Sequence, residues 1–97
     1  MTTERQEILN VNTGRSDGTI ARDKYEAMKA ALLAVIPAGD EGVPFQGLAE
    51  RVKPHIPSEV FEGASVGWYT TTVKLDLEAR GLIERVPKRS PQHLRRV

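Results

Sequence analysis

Ser16, Asp17, His55 and His93 are the residues of this chain that could supply a nucleophile, an acid and a base. They lie in separate stretches, and no Gly-x-Ser-x-Gly elbow surrounds the serine. A working triad needs its members within hydrogen-bond reach of one another. Nothing in their spacing provides that, so no catalytic residue is assigned and the chain is read as a non-enzyme. Metal chemistry has as little support. There is no cysteine, and the two histidines lack a His-x-x-x-His spacing. No metal or cofactor is therefore expected. The segment Gly14-Arg15-Ser16-Asp17-Gly18 has the glycine and hydroxyl density of a phosphate loop, but not the Gly-x-x-x-x-Gly-Lys-Ser/Thr pattern. It reads as an ordered turn. Arg15 is its one residue suited to an anion, since a guanidinium forks onto phosphate or carboxylate.

Basic residues gather at the C-terminal end. Residues 74–97 hold seven Lys/Arg against three Asp/Glu, residues 1–40 five against six, and residues 41–73 two against four. A net charge of +1 selects no partner, but this asymmetry sets a basic segment on a near-neutral body. Arg85, Lys88, Arg89, Arg95 and Arg96 are placed to clamp a nucleic-acid backbone in a salt-sensitive, weakly sequence-specific way. A solvated tail is the plain alternative. Upstream, Thr70, Thr71 and Thr72 can bond phosphate or meet a thymine methyl, and Lys74 can reach phosphate or guanine. Asp76 and Glu78 in the same stretch oppose that role. Trp68-Tyr69 is the one adjacent aromatic pair, and a chain with five aromatics needs both in its core. The alternatives are base stacking, or a partly exposed Trp68 at a partner or dimer interface.

The elements that must position these residues follow from periodicity and stop signals. Glu7 to Asn12 has the alternation of a short strand, and Asn12 to Gly18 is a loop rich in turn formers. A first helix starts near Asp23, runs through Tyr25, Met28, Leu32 and Val35/Ile36, and stops at Pro37. Phe45, Leu48, Ala49 and Val52 fall at i, i+3, i+4 and i+7, which predicts a second helix over Val43 to Val52. Eleven residues then separate Val52 from Ala64, more than the three or four of a simple helix-turn-helix. A third helix over Ser65 to Arg80 places Val66, Tyr69, Val73 and Leu77 on its core stripe, with Thr70, Thr71, Lys74 and Glu78 outside. Gly81 stops it, and Leu82 to Val86 begins a strand at once. Pro87 to Pro91 makes a tip, and Gln92 to Val97 pairs back.

Three helices closed by a C-terminal β-hairpin, with a short N-terminal strand, describe an α+β winged helix-turn-helix. Residues 1–22 form an N-terminal arm and loop and residues 23–97 the winged helix, within one domain. The chain also resembles a group of small bacterial proteins classed as a domain of unknown function with a winged-helix fold. The resemblance rests on Asn10-Val11-Asn12-Thr13-Gly14-Arg15, on Lys24 to Leu33 followed by Pro37, on Gly67-Trp68 with Thr72-Val73 and Leu75 to Ala79, and on Pro91 to Arg96. In that group a proline often stands between the threonine and glycine of the first motif; here Thr13 runs directly into Gly14. The resemblance implies a fold and a bacterial origin, and brings no activity or ligand.

The longest apolar run, Ala30 to Ile36, has seven residues, well short of the roughly 20 of a membrane helix. The polar N-terminus is unlike a secretory signal, so a cytoplasmic protein without a membrane partner is expected. The leading expectation is a DNA-associated or transcription-related accessory protein whose partner is double-stranded DNA. The alternative is a module that binds a protein partner, or itself as a homodimer, on the same scaffold.

Overall fold

The computed structural model describes residues 4–97; the first three residues of the expected N-terminal arm lie outside them. The order of elements is β1 (Arg5–Asn10), β2 (Arg15–Ala21), α1 (Arg22–Val35), β3 (Val43–Pro44), α2 (Leu48–Val52), a 3-10 turn over Lys53–His55, α3 (Val66–Ala79), β4 (Ile83–Arg85) and β5 (His93–Arg96). β1 and β2 form an antiparallel hairpin, and β3, β5 and β4 form a second antiparallel sheet in that order. Three helices with N- and C-terminal hairpins are consistent with a winged helix-turn-helix topology.

The passage from α3 to β4 follows the local chemistry. Ser65 stands extended before the helix, and its Oγ accepts the Trp68 amide at 3.1 Å. At the far end Gly81 adopts φ 76°. Its amide bonds the Glu78 carbonyl at 3.1 Å, and the Leu82 amide bonds that of Leu77 at 3.0 Å. This double closure is a Schellman stop, and an L side chain at Gly81 would be strained. The chain leaves already aimed into β4.

Two stretches depart from the periodic reading. Val43 to Val52 is not one helix: Val43 and Pro44 pair with Leu94 and His93, and α2 starts only at Leu48, after Gly47 turns the chain with φ 83°. Leu48 and Val52 are buried all the same. The stretch expected as a loop, Asn12 to Gly18, holds a tight turn and then most of β2. β2 is exposed along its first five residues and buries a side chain only at Ile20. Pairing with β1 provides for its backbone, so no apolar alternation is needed there.

The core unites Tyr25, Met28, Leu32 and Ile36 of α1 and its cap with Leu48, Val52, Val73 and Leu77 of α2 and α3. Ile8 and Ile20 enter from the first hairpin, Ile83 and Leu94 from the wing, and Phe61 from the long α2–α3 connection. That connection is long because it carries core residues, with Ile56, Val60 and Ala64 packed beside Phe61. Tyr69, assigned to the core stripe, is only half-buried.

Asp76 is 0% exposed, in the middle of this core. Its carboxylate accepts the Tyr25 hydroxyl at 2.5 Å, the Leu9 amide at 2.9 Å and Arg80 Nε at 2.9 Å. Arg80 also donates to the Glu7 carbonyl at 3.0 Å. One acid thus joins α1, α3 and β1.

Asp76→Ala would orphan the Tyr25 hydroxyl and the Leu9 amide together. We expect a loss of about 3–5 kcal/mol in urea unfolding, the range for breaking a buried charged pair; a loss under about 1 kcal/mol would mean the network is dispensable. The Tyr25 hydroxyl is held far above the ordinary tyrosine range, chiefly by burial and then by the hydrogen bond and charge of Asp76. Its folded value exceeds its unfolded one. The stability it contributes is therefore complete below pH ~10 and is lost as pH climbs beyond that. Unfolding on either side of pH ~10 should show this alkaline loss in the wild type and a flatter limb in Tyr25→Phe.

Candidate nucleic-acid interface

α3 turns its charges inward. Lys74 is 3% exposed, with Nζ 3.0 Å from Glu78 Oε2 and 4.8 Å from the Phe45 ring centre. Burial pushes this lysine below its ordinary value, against the pull of Glu78. The other Glu78 oxygen takes Arg85 Nε at 2.6 Å, which holds the Arg85 guanidinium above its ordinary value. Thr70 is 2% exposed and donates to the Val66 carbonyl at 2.7 Å. Lys74 and Thr70, expected on a reading face, are therefore structural. The reason is coverage. At about 100° per residue, Val73 and Leu77 enter the core shared with α1, Asp76 meets α1 and β1, and Lys74 and Glu78 meet the three-stranded sheet and its flank.

What remains outside on α3 is Gly67, Trp68 and Thr71. Thr71 is the one member of the expected reading set that stays exposed. Trp68, expected in the core, is 52% exposed. It stands edge-on to Tyr69 at 4.9 Å, and Tyr69 in turn meets Phe61 edge-on at 5.6 Å. The half-buried Tyr69 thus supports an exposed indole.

The wing arginines are also largely engaged. Arg95 bonds Glu84 across the β4–β5 ladder at 2.7 Å and Asp40 at 3.3 Å. Arg96 donates to the Ile36 carbonyl at 2.8 Å. Arg85, besides Glu78, donates to Asn12 Oδ1 at 3.1 Å. These three hold the wing onto the body, which revises the expectation that they clamp a backbone. Lys88 and Arg89 differ: both are exposed at the wing tip, and neither has an ion-pair partner among the described residues. Lys88 turns the tip with φ 61°. Phe45, whose amide bonds the Gln92 carbonyl at 2.8 Å, lies over Lys74. The base of the wing tip therefore sits beside the middle of α3, with Thr71 one turn further toward the N-terminus. Arg15, at the start of β2, is exposed and likewise without an ion-pair partner among the described residues.

Two clefts flank α3. One of about 350 Å³ lies between the hairpins and is lined by Val11, Asn12, Glu78, Ile83, Glu84 and Arg85. The other, about 280 Å³ and mostly apolar, is lined by Lys53, Ile56, Ser58, Phe61 and Val66. The residues with catalytic potential do not engage one another. Ser16 Oγ accepts the Gly18 amide, Asp17 accepts from Asn10, and the His93 ring bonds the Pro91 carbonyl. Among the described residues no three His, Asp or Glu converge to hold a metal, and no helix is long and apolar enough to cross a membrane.

Residues 5–94 match the Family of unknown function (DUF6958), and the chain belongs to that family. No curated protein and no solved structure matches it.

The Asp76 and Glu78 networks were not foreseen, although Asp76–Arg80 and Lys74–Glu78 both have the i,i+4 spacing of helical ion pairs. The spacing does not say which pairs will be covered. Lys74→Ala removes a donor from a buried carboxylate and a stem packed on Phe45. We expect urea unfolding to show a loss of about 1–3 kcal/mol, where an exposed lysine would change stability by less than about 0.5 kcal/mol.

Proposed function

We propose that the chain is a winged helix-turn-helix protein that associates non-covalently with duplex DNA and catalyses no reaction. The observation that supports this is where unpaired positive charge remains. Of the seven Lys/Arg in residues 74–97, Lys74, Arg80, Arg85 and Arg95 are in ion pairs and Arg96 is held by a carbonyl. Lys88 and Arg89 alone are left to a partner, and they occupy the wing tip, whose base lies beside the middle of α3. Contacts from such a tip go to phosphate and position the protein without reading sequence. Thr71 offers one hydroxyl and one methyl toward a groove. Binding of this kind is salt-sensitive and weak in sequence preference. It carries with it a cytoplasmic location, which a cysteine-free chain suits.

Trp68 favours a second reading. An exposed tryptophan held edge-on by a neighbouring ring is the kind of anchor that dominates protein interfaces. On this reading the α3 face binds a protein or a second copy of the chain.

Fluorescence anisotropy with a mixed-sequence duplex, measured across a salt series, separates the two. We expect affinity to fall with salt, and Lys88→Ala/Arg89→Ala to reduce the slope of log K against log salt by about 2, since each lost phosphate contact removes about 0.9. Absence of binding at low salt, with a self-association or partner affinity lost in Trp68→Ala, would replace the first reading with the second.

A further inference from the structure

The turn between β1 and β2 is exposed yet dense in hydrogen bonds, and the wing does not account for it. Asn10 organises this turn. Its carbonyl accepts the amides of Thr13 at 3.2 Å and Gly14 at 2.7 Å, and its Oδ1 accepts the Asn12 amide at 2.9 Å. Its Nδ2 donates to Asp17 Oδ2 at 2.9 Å, which ties that carboxylate to the turn. Thr13 Oγ1 accepts the Arg15 amide at 3.2 Å, and Gly14 supplies the positive φ of 70° that closes the turn. The tip is then fastened to the other hairpin, since Asn12 Oδ1 accepts Arg85 Nη2 at 3.1 Å.

This contact decides where Arg15 sits. Arg15 is three residues from Asn12, and Lys88 is three residues from Arg85. At no more than about 3.6 Å per residue, the Arg15 Cα lies within about 11 Å of the Asn12 Cα, and the Lys88 Cα within about 11 Å of the Arg85 Cα. The exposed cations without ion-pair partners on the two hairpin tips, Arg15, Lys88 and Arg89, therefore stand on two turns that this one contact joins. The joint is made before any ligand arrives, so little ordering entropy opposes binding. Phosphodiester backbone is the anion whose spacing suits several cations on such a ledge, as duplex DNA presents a charge every ~1.7 Å along its axis. A guanidinium on an ordered turn is suited to a bidentate grip on one phosphate.

We infer that the Asn10–Arg15 turn is a second backbone-gripping tip: Arg15 acts with Lys88 and Arg89 to hold phosphates of one duplex. Asn12 is the positioning residue that docks this tip on the wing. The inference rests on the DNA-binding reading above and extends the site to an element outside the three helices and the wing.

The test compares wild type, Arg15→Ala, Arg15→Lys and Lys88→Ala/Arg89→Ala by anisotropy on two unrelated duplexes over a salt series, with thermal melts to verify folding. Arg15 is exposed, so its variants should melt as the wild type does. We expect Arg15→Ala to weaken binding several-fold at low salt and equally on both duplexes, and to lower the salt slope by about 0.9. Arg15→Lys should keep the slope. If Lys88→Ala/Arg89→Ala weakens binding and Arg15→Ala leaves both affinity and slope unchanged, the second tip is refuted and the wing reading stands. If the wild type binds neither duplex at low salt, both fall together.

Discussion

The carboxylate of Asp76 sets how the two hairpins and the helices are placed relative to one another. A fully buried carboxyl group is tolerated only when hydrogen-bond partners surround it, and here they come from three elements: Tyr25 of α1, the Leu9 amide of β1 and Arg80 one turn along from Asp76. Because Leu9 contributes through its main chain, the requirement falls on the position of the strand and not on its side-chain type. Arg80 makes the same demand from the other direction by donating to the Glu7 carbonyl. The N-terminal hairpin is therefore an integral wall of the core, with Ile8 and Ile20 buried in it. An arm free to detach would leave Asp76 short of a donor and expose those two side chains.

The same economy governs the surface charge. The basic C-terminal quarter suggests a strong local field, yet folding brings Glu78, Glu84 and Asp40 onto its arginines. The paired residues contribute little to what a partner meets. Arg85 illustrates the redirection: its guanidinium spans Glu78 on the helix and Asn12 on the hairpin turn, which makes it a joint between the two β units. Within the basic C-terminal quarter, positive charge without an ion-pair or carbonyl partner is confined to Lys88 and Arg89 at the wing tip.

What could be read from the sequence was what local physics decides. α3 with its serine cap and glycine stop, the strand that follows, and the stripes of α1 and α3 all rest on contacts within a few residues. The errors share one origin, which is pairing between distant segments. Val43 and Pro44 are a strand only because Leu94 and His93 lie alongside, and the spacing of Phe45, Leu48 and Val52 fits a helix equally well. β2 has no apolar alternation to announce it and exists through β1. On α3 Val73 and Leu77 of the stripe are buried, Val66 and Tyr69 are half-buried, and of the outer set Thr71 stays exposed, because a helix covered by α1, β1 and the wing sheet hides polar rows too. Lys74 and Thr70 disappeared in this way, and Trp68 was left outside by the same phase. Arg15 stands out by type as suited to an anion, but the contact that joins its turn to the wing, Arg85 to Asn12, is one that no spacing encodes.

Coverage of α3 also limits how this protein could engage DNA. A recognition helix reads bases through the side chains it can insert in the major groove. Here β1 and the wing sheet cover α3 beyond its second turn, so Gly67, Trp68 and Thr71 are all that it can present. None carries a charge or the forked donor set that distinguishes one base pair from another. On the DNA reading, selectivity then has to come from the shape of the duplex. Two rigid tips at a set separation require a particular spacing of phosphates, and sequences that adopt that spacing at low deformation cost are preferred. The indole of Trp68, upright on Tyr69, would then serve as an apolar contact at the groove edge. The same exposed ring on a helix face without cations would equally suit a protein surface, which is why the salt dependence of binding, more than its strength, separates the two uses of this scaffold.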